Sequence, residues 1–196
     1  KTIQDEERTG GTASALKVDA TTSALIESSV KQVVSKFGKV DILVNNYGPL
    51  ISKPWQDATT EDWEAMFKGD FLSALHCLKA VLPGMRQRKW GRIVNIGYSR
   101  VEHLGAFSMI APYAVAKTAL LILTRSAAAS EAKSGITVNM VSPGLIEGGV
   151  MPGKKAVPDE LIGKRIDVAE AVSFLASDKS GHITGTNLIV AGAWKL

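Results

Sequence analysis

A chain with one cysteine cannot close a disulfide within itself, and Cys77 is the only cysteine here. It sits in FLSALHCLKAVL, an apolar stretch of helical character, where a thiol behaves as a small core residue rather than a nucleophile. Long hydrophobic runs are missing too. Stretches such as Ala119–Leu123 fall far short of the roughly 20 apolar residues that cross a bilayer, so no membrane partner is expected. The opening KTIQDEERTGG lacks the apolar core of a signal peptide, and a cytoplasmic protein is the expectation. No run of basic residues suggests a nucleic-acid face. Lys and Arg total 23 against 19 Asp and Glu, a net charge of only +4, which reads as solvated surface and excludes an extended nucleic-acid face. His76, His103 and His182 are too scattered to suggest a metal site.

What the chain does have is ordinary globular chemistry. Its 196 residues are 45% apolar and 21% charged, enough to build one domain, residues 1–196, around a substantial core. Short β-rich runs alternate with longer helical ones. Ala15–Val18 is predicted as a strand ending at Asp19. Thr22–Phe37 is a predicted helix, stopped by Gly38. DILVN, Asp41–Asn45, reads as a strand covered on both faces. A helix is predicted from Thr60, with Glu61 and Asp62 in its first turn, towards Gln87, bent or interrupted at Pro83. Arg92–Ile96 is another buried strand. Pro112 opens a long helix that reaches Lys133, followed by a strand at Ile136–Val141, a helix at Val168–Ser177 and a strand at Asn187–Val190. This alternation predicts an α/β fold, a doubly wound, Rossmann-like parallel sheet with helices on both faces.

Such sheets bind ligands at the carboxyl ends of their strands. There the sequence places Asp19, then Asn45-Asn46-Tyr47-Gly48, then Gly97-Tyr98-Ser99, then Ser142-Pro143-Gly144. Near the start of the long helix, Tyr113 and Lys117 stand one turn apart on one face. A phenol with a pKa near 10 is a poor proton donor at neutral pH, but an adjacent ammonium favours the phenolate. A tyrosine so tuned can protonate a carbonyl oxygen, or deprotonate an alcohol, as hydride moves. A serine hydroxyl can hold the same oxygen. Alone the pair is weak: it would arise by chance about once in four chains of this composition.

Six segments in order strengthen it: FGKVDILVNNYG, GRIVNIG, YAVAK, GITVNMVSPG, DVAEAVSFLASD and ITGTNLIVAGA. Together they resemble the classical short-chain dehydrogenase/reductase family, in particular its 3-oxoacyl-[acyl-carrier-protein] reductase-like members. The resemblance implies an NAD(P)-dependent oxidoreductase that interconverts a ketone and a secondary alcohol. NADP is slightly favoured over NAD, and the substrate would be a small molecule or an acyl thioester. Tyr113 would be the general acid–base, Lys117 would lower its pKa and bind the nicotinamide ribose, and Ser99 would orient the carbonyl. Asp19 would contact the adenine, with Ala20 beside it. Asn45, Tyr47 and Gly48 would line the cofactor groove, and Pro143, Gly144 and Ile146 would pack near the nicotinamide. In the family the helices corresponding to those from Thr60 and Pro112 pair between subunits, which implies a homotetramer or dimer.

The sequence departs from the family in five places. The first strand, Gly-rich turn and helix, which would hold the pyrophosphate, have no counterpart, and the chain is expected to represent a longer protein in part. Tyr98 takes the position directly after Gly97, which makes its phenol a competitor of Ser99. Asp70 stands where the family has a catalytic Asn, whose backbone carbonyl serves a water next to the Lys. Tyr47 replaces a usual Ala beside the adenosine. Gly148 replaces an expected Thr, and the substrate-loop region, residues 149–165, is shortened. These departures motivate an alternative: a binding or regulatory protein on the same scaffold with weakened catalysis.

Overall fold

A computed structural model describes residues 11–149, 158 and 161–194. Most of the shortened substrate loop therefore lies outside the described residues. Four strands form one sheet in the order β1-β2-β3-β4, all parallel. They are β1 (Ile42–Asn45), β2 (Gly91–Ile96), β3 (Ile136–Pro143) and β4 (Asn187–Val190). The helix α1 (Ser23–Phe37) precedes β1, and between the strands run α2 (Thr60–Met66), α3 (Ser73–Arg88), α4 (Ala111–Glu131) and α5 (Arg165–Ala176). The expected α/β, Rossmann-like architecture is what the chain adopts.

Alternation along the strands sorts the core into two layers. Ile93, Ile136 and Val138 pack with Leu78, Val81, Leu82 and Met85 of α3 and with Ala127 and Ala128 of α4. Val94 and Val141 point the other way and meet Leu175, Val168 and Ala171 of α5. Successive residues alternate faces, and β2 and β3 are buried on both. β1 differs. Leu43 packs on the α3 side, but Ile42 and Val44 remain 47% and 41% exposed. The two-sided cover expected for DILVN is met on one face only among the described residues.

Two other expectations change. Ala15–Val18 is not a strand. An extended segment needs a neighbouring backbone for its N–H and C=O groups, and no strand pairs with this one among the described residues. Nor does Pro83 interrupt its helix; it lies inside α3. The irregularity comes earlier, where Phe67–Leu72 forms a π-helical segment continuous with α2 and α3. There the Ser73 N–H reaches back five residues, to the Lys68 carbonyl. The start of α2 is as the sequence suggests. The Thr59 hydroxyl accepts from the Asp62 N–H, and the Asp62 carboxylate accepts from the Thr59 N–H, a reciprocal cap.

The π segment permits a close approach. A Cβ on Gly69 would overlap the Pro49 ring, so the loop after β1 can lie against the helix only because residue 69 has no side chain. Gly69→Ala is expected to lower stability by about 1–3 kcal/mol, the usual cost of forcing extra volume into a packed site. The urea midpoint measures it, and an unchanged midpoint would show that the loop moves aside freely.

Candidate active site

The loops at the carboxyl ends of the strands are pinned to one another. The Gly97 N–H donates to Val141 O at 2.8 Å, the Ser99 N–H to Pro143 O at 2.9 Å and the Gly144 N–H to Val190 O at 2.9 Å. These bonds carry the β2 and β3 ladders past their ends and hold Tyr98, Ser99 and Gly144 beside one cleft. The cleft has a volume of 1130 Å³, and Tyr98, Ser99, Tyr113, Pro143, Gly144 and Ile146 are in its wall.

Next to it, α4 buries Lys117. Its ammonium donates to Ile96 O at 2.8 Å, lies 3.0 Å from Asp70 Oδ1 and stands 5.7 Å from the Tyr113 ring centroid. The side chains of this ion pair are 5% and 0% exposed. Asp70 comes from the π segment, the kind of helical irregularity that often marks functional sites. Gly48 closes over the pair, and a Cβ there would overlap Asp70 Oδ1. Burial pushes the Asp70 carboxyl up to about 6, with Lys117 opposing the rise. Asp70 Oδ2 accepts no hydrogen bond among the described residues. Oδ1 has the ammonium close by but not in line for one.

The Tyr113 phenol is held well above its ordinary value, first by burial, then by the negative charge of Asp70 and by Tyr98. The Asp70 carboxylate beside Lys117 opposes the lowering that the ammonium alone would bring to this phenol.

The other sequence candidates divide. Asn45 lies behind the cleft: its amide donates to Asn95 Oδ1 at 2.8 Å, and the Asn95 amide donates to Thr124 Oγ1 at 2.8 Å. This chain fixes the end of β1 against α4. Its neighbour Asn46 lines the cleft instead. Tyr47 is exposed and lies close to Gly69. Asp19 and Ala20 form an exposed turn ahead of α1, outside the cleft wall. Asp19 Oδ1 accepts from the Thr21 N–H at 2.9 Å and the Thr21 hydroxyl at 2.7 Å, which hold its carboxyl below the usual range. Phe107, Leu145 and Trp194 also line the cleft. Sequence reading passed over Phe107 because it belongs to a loop without periodicity.

Residues 1–194 match the family model described as Enoyl-(Acyl carrier protein) reductase. The chain belongs to the short-chain dehydrogenase/reductase family. It is 36% identical over 192 residues to the 3-oxoacyl-[acyl-carrier-protein] reductase FabG of Escherichia coli K12, covering 93% of this chain and 78% of that protein. It is 34% identical over 189 residues to the (2S)-[(R)-hydroxy(phenyl)methyl]succinyl-CoA dehydrogenase subunit BbsC of Thauera aromatica, covering 93% and 74%. A solved candidate gluconate dehydrogenase from Agrobacterium tumefaciens superposes with a TM-score of 0.88 at 29% identity, over 97% of this chain and 79% of that one. The chain thus spans about three quarters of such relatives. Membership makes it a nicotinamide-dependent oxidoreductase. Its residues fit the nicotinamide half of such a cofactor: a lysine ammonium has three donors, and with one given to Ile96 O a donor is left for a ribose hydroxyl.

The raised Asp70 carboxyl has a thermodynamic consequence. Unfolded, the group titrates near 3.8; folded, near 6. The folded state therefore binds the extra proton in this window, and the stabilisation present below pH 4 is lost as pH rises through 6. Asp70→Asn removes this titration. Relative to the variant, the wild type is expected to lose roughly 2–3 kcal/mol between pH 4 and pH 7. Denaturant unfolding at a series of pH values measures the gap, and a pH-independent gap would show that Asp70 is not held protonated.

Proposed function

We propose that this protein interconverts a ketone and a secondary alcohol, with a 3-oxoacyl thioester as the substrate class suggested by the names of its reductase relatives. The observation that carries the reading is Tyr113 in the cleft wall with Lys117 buried one helical turn behind it. When bound, the nicotinamide supplies or accepts the hydride. In the reducing direction Tyr113 gives its proton to the carbonyl oxygen, and in the oxidising direction it takes the proton of the alcohol. Lys117 holds a ribose hydroxyl with its remaining donor and stabilises the phenolate as it forms. A hydroxyl from the loop after β2, supplied by Ser99 or Tyr98, holds the carbonyl oxygen. Pro143, Gly144 and Ile146 form the wall beside the nicotinamide. Asp19, Ala20, Asn45, Tyr47 and Gly48 belong to the adenosine side, with Asn45 acting through the chain that anchors β1. NADP is the favoured cofactor.

A second reading follows from the carboxylate of Asp70 beside Lys117. With Asp70 facing the phenol, the scaffold could bind cofactor and turn over slowly, as a binding or regulatory protein. Cofactor titration and turnover on the same preparation separate the two: tight binding with normal turnover removes the second reading.

Oxidation of NADPH and NADH with a panel of ketones and 3-oxoacyl thioesters tests the activity and the cofactor preference. Tyr113→Phe is expected to lower kcat by about 10²–10⁴, the contribution of a positioned acid–base group, while cofactor binding persists. Undiminished turnover would rule out the acid–base role.

α4 exposes Val115 and Ile122, and the helical rod from Thr60 (α2 through α3) and α4 are the helices we propose to pair between copies in a cytoplasmic dimer or tetramer. Light scattering should give a mass of two or four chains; a monomer at dilute concentration contradicts this assembly.

A further inference from the structure

We propose that Tyr98, rather than Ser99, is the hydroxyl that holds the substrate's carbonyl oxygen opposite Tyr113. The inference rests on the acid–base reading of Tyr113 and deepens it.

Tyr98 follows Gly97, the first residue past β2, whose N–H is bonded to Val141 O. The backbone at Tyr98 is therefore placed by the sheet. Its ring is held between two others. The Tyr113 centroid lies 5.3 Å away at a tilt of 58°, and that of Phe107 lies 6.0 Å away, edge on. Arg100 stacks over the far ring, 4.9 Å from the Phe107 centroid. Aromatic pairs at such separations are attractive in tilted and edge-on geometries, so the phenol is held in place before any substrate arrives.

The hydroxyl at the end of this fixed ring is closed off from solvent and has no hydrogen-bond partner among the described residues. A buried donor without an acceptor is a cost that folded proteins ordinarily avoid. Tyr98 and Tyr113 share the wall of one cleft, with their ring centroids 5.3 Å apart. Burial holds Tyr98 up at about 12, so it remains a neutral donor at any pH where the enzyme would work. A carbonyl oxygen presented to Tyr113 would give this orphan donor its acceptor. Tyr98 donates a hydrogen bond and keeps its proton throughout; the proton transferred is that of Tyr113.

Ser99 differs. Its N–H is bonded to Pro143 O, which ties it to the β3 side of the loop.

Three variants decide the matter: Tyr98→Phe, Ser99→Ala and Tyr113→Phe. Each is assayed for ketone reduction and for cofactor affinity by fluorescence. Tyr98→Phe keeps the ring packing and removes only the donor. It is expected to lower kcat by about 10²–10³, the loss seen when one such donor is removed, with cofactor affinity unchanged. Ser99→Ala is expected to stay within about tenfold of wild type. A Tyr98→Phe enzyme with near-normal kcat, or a Ser99→Ala enzyme as impaired as Tyr98→Phe, overturns the assignment. Full turnover by Tyr113→Phe overturns the acid–base reading instead, and the contrast between the other two variants still identifies the carbonyl donor.

Discussion

The buried contact between Asp70 and Lys117 joins the parts of this protein that matter for its chemistry. Asp70 comes from the π segment, Lys117 from α4, the covering Gly48 from the loop after β1, and the second acceptor of the ammonium from the end of β2. Two charges taken this far from water require close pairing, because each alone would carry a desolvation penalty of several kcal/mol. The requirement runs in both directions. The loop after β1 must bear a glycine to approach the pair, and the helix must bulge to deliver the carboxylate. An ion pair of this kind is weak evidence for stability; here its larger effect is to fix the geometry around Tyr113.

The sheet supplies the frame for that geometry. Parallel strands of one register end together, and their loops continue the ladder for a residue or two. Tyr98, Ser99, Pro143 and Gly144 consequently occupy positions set by backbone hydrogen bonds rather than by side-chain packing. The long helix α4 brings Tyr113 and Lys117 to the same end. Buried amides complete the frame from behind, with Asn45, Asn95 and Thr124 forming a satisfied polar chain. A chain of this kind favours one register, because a slip would strand several donors at once.

Much of this was legible in the residues. The apolar period of α1, the helix start at Thr60 with Glu61 and Asp62 in its first turn, and the buried strands β2 and β3 are local signals, and the structure follows them. Tyr113 and Lys117 were found because helical spacing translates directly into a shared face. Ala15–Val18 went the other way: its pattern is that of a strand, but pairing is a property of neighbours, not of the segment itself. The π segment was missed because one residue of extra winding leaves no mark on an apolar period, while Pro83, the conspicuous breaker, is accommodated inside α3. Spacing revealed the ammonium one turn from Tyr113, and the family position of Asp70 put a carboxylate beside it; how deeply the two are buried against each other depends on the fold.

The π segment also sets α2 and α3 out of phase. Each residue of an α-helix advances the side-chain direction by about 100°, and the i→i+5 winding at Phe67–Leu72 shifts that count across the junction. Residues on either side therefore do not share one continuous stripe: Met66 and Leu78 reach the interior by separate phases of the same rod. The helix works as a gearing between two surfaces, one turned to the site and the other to the sheet. Its irregular turn is where local regularity has been given up so that both can be served by a single stretch of chain.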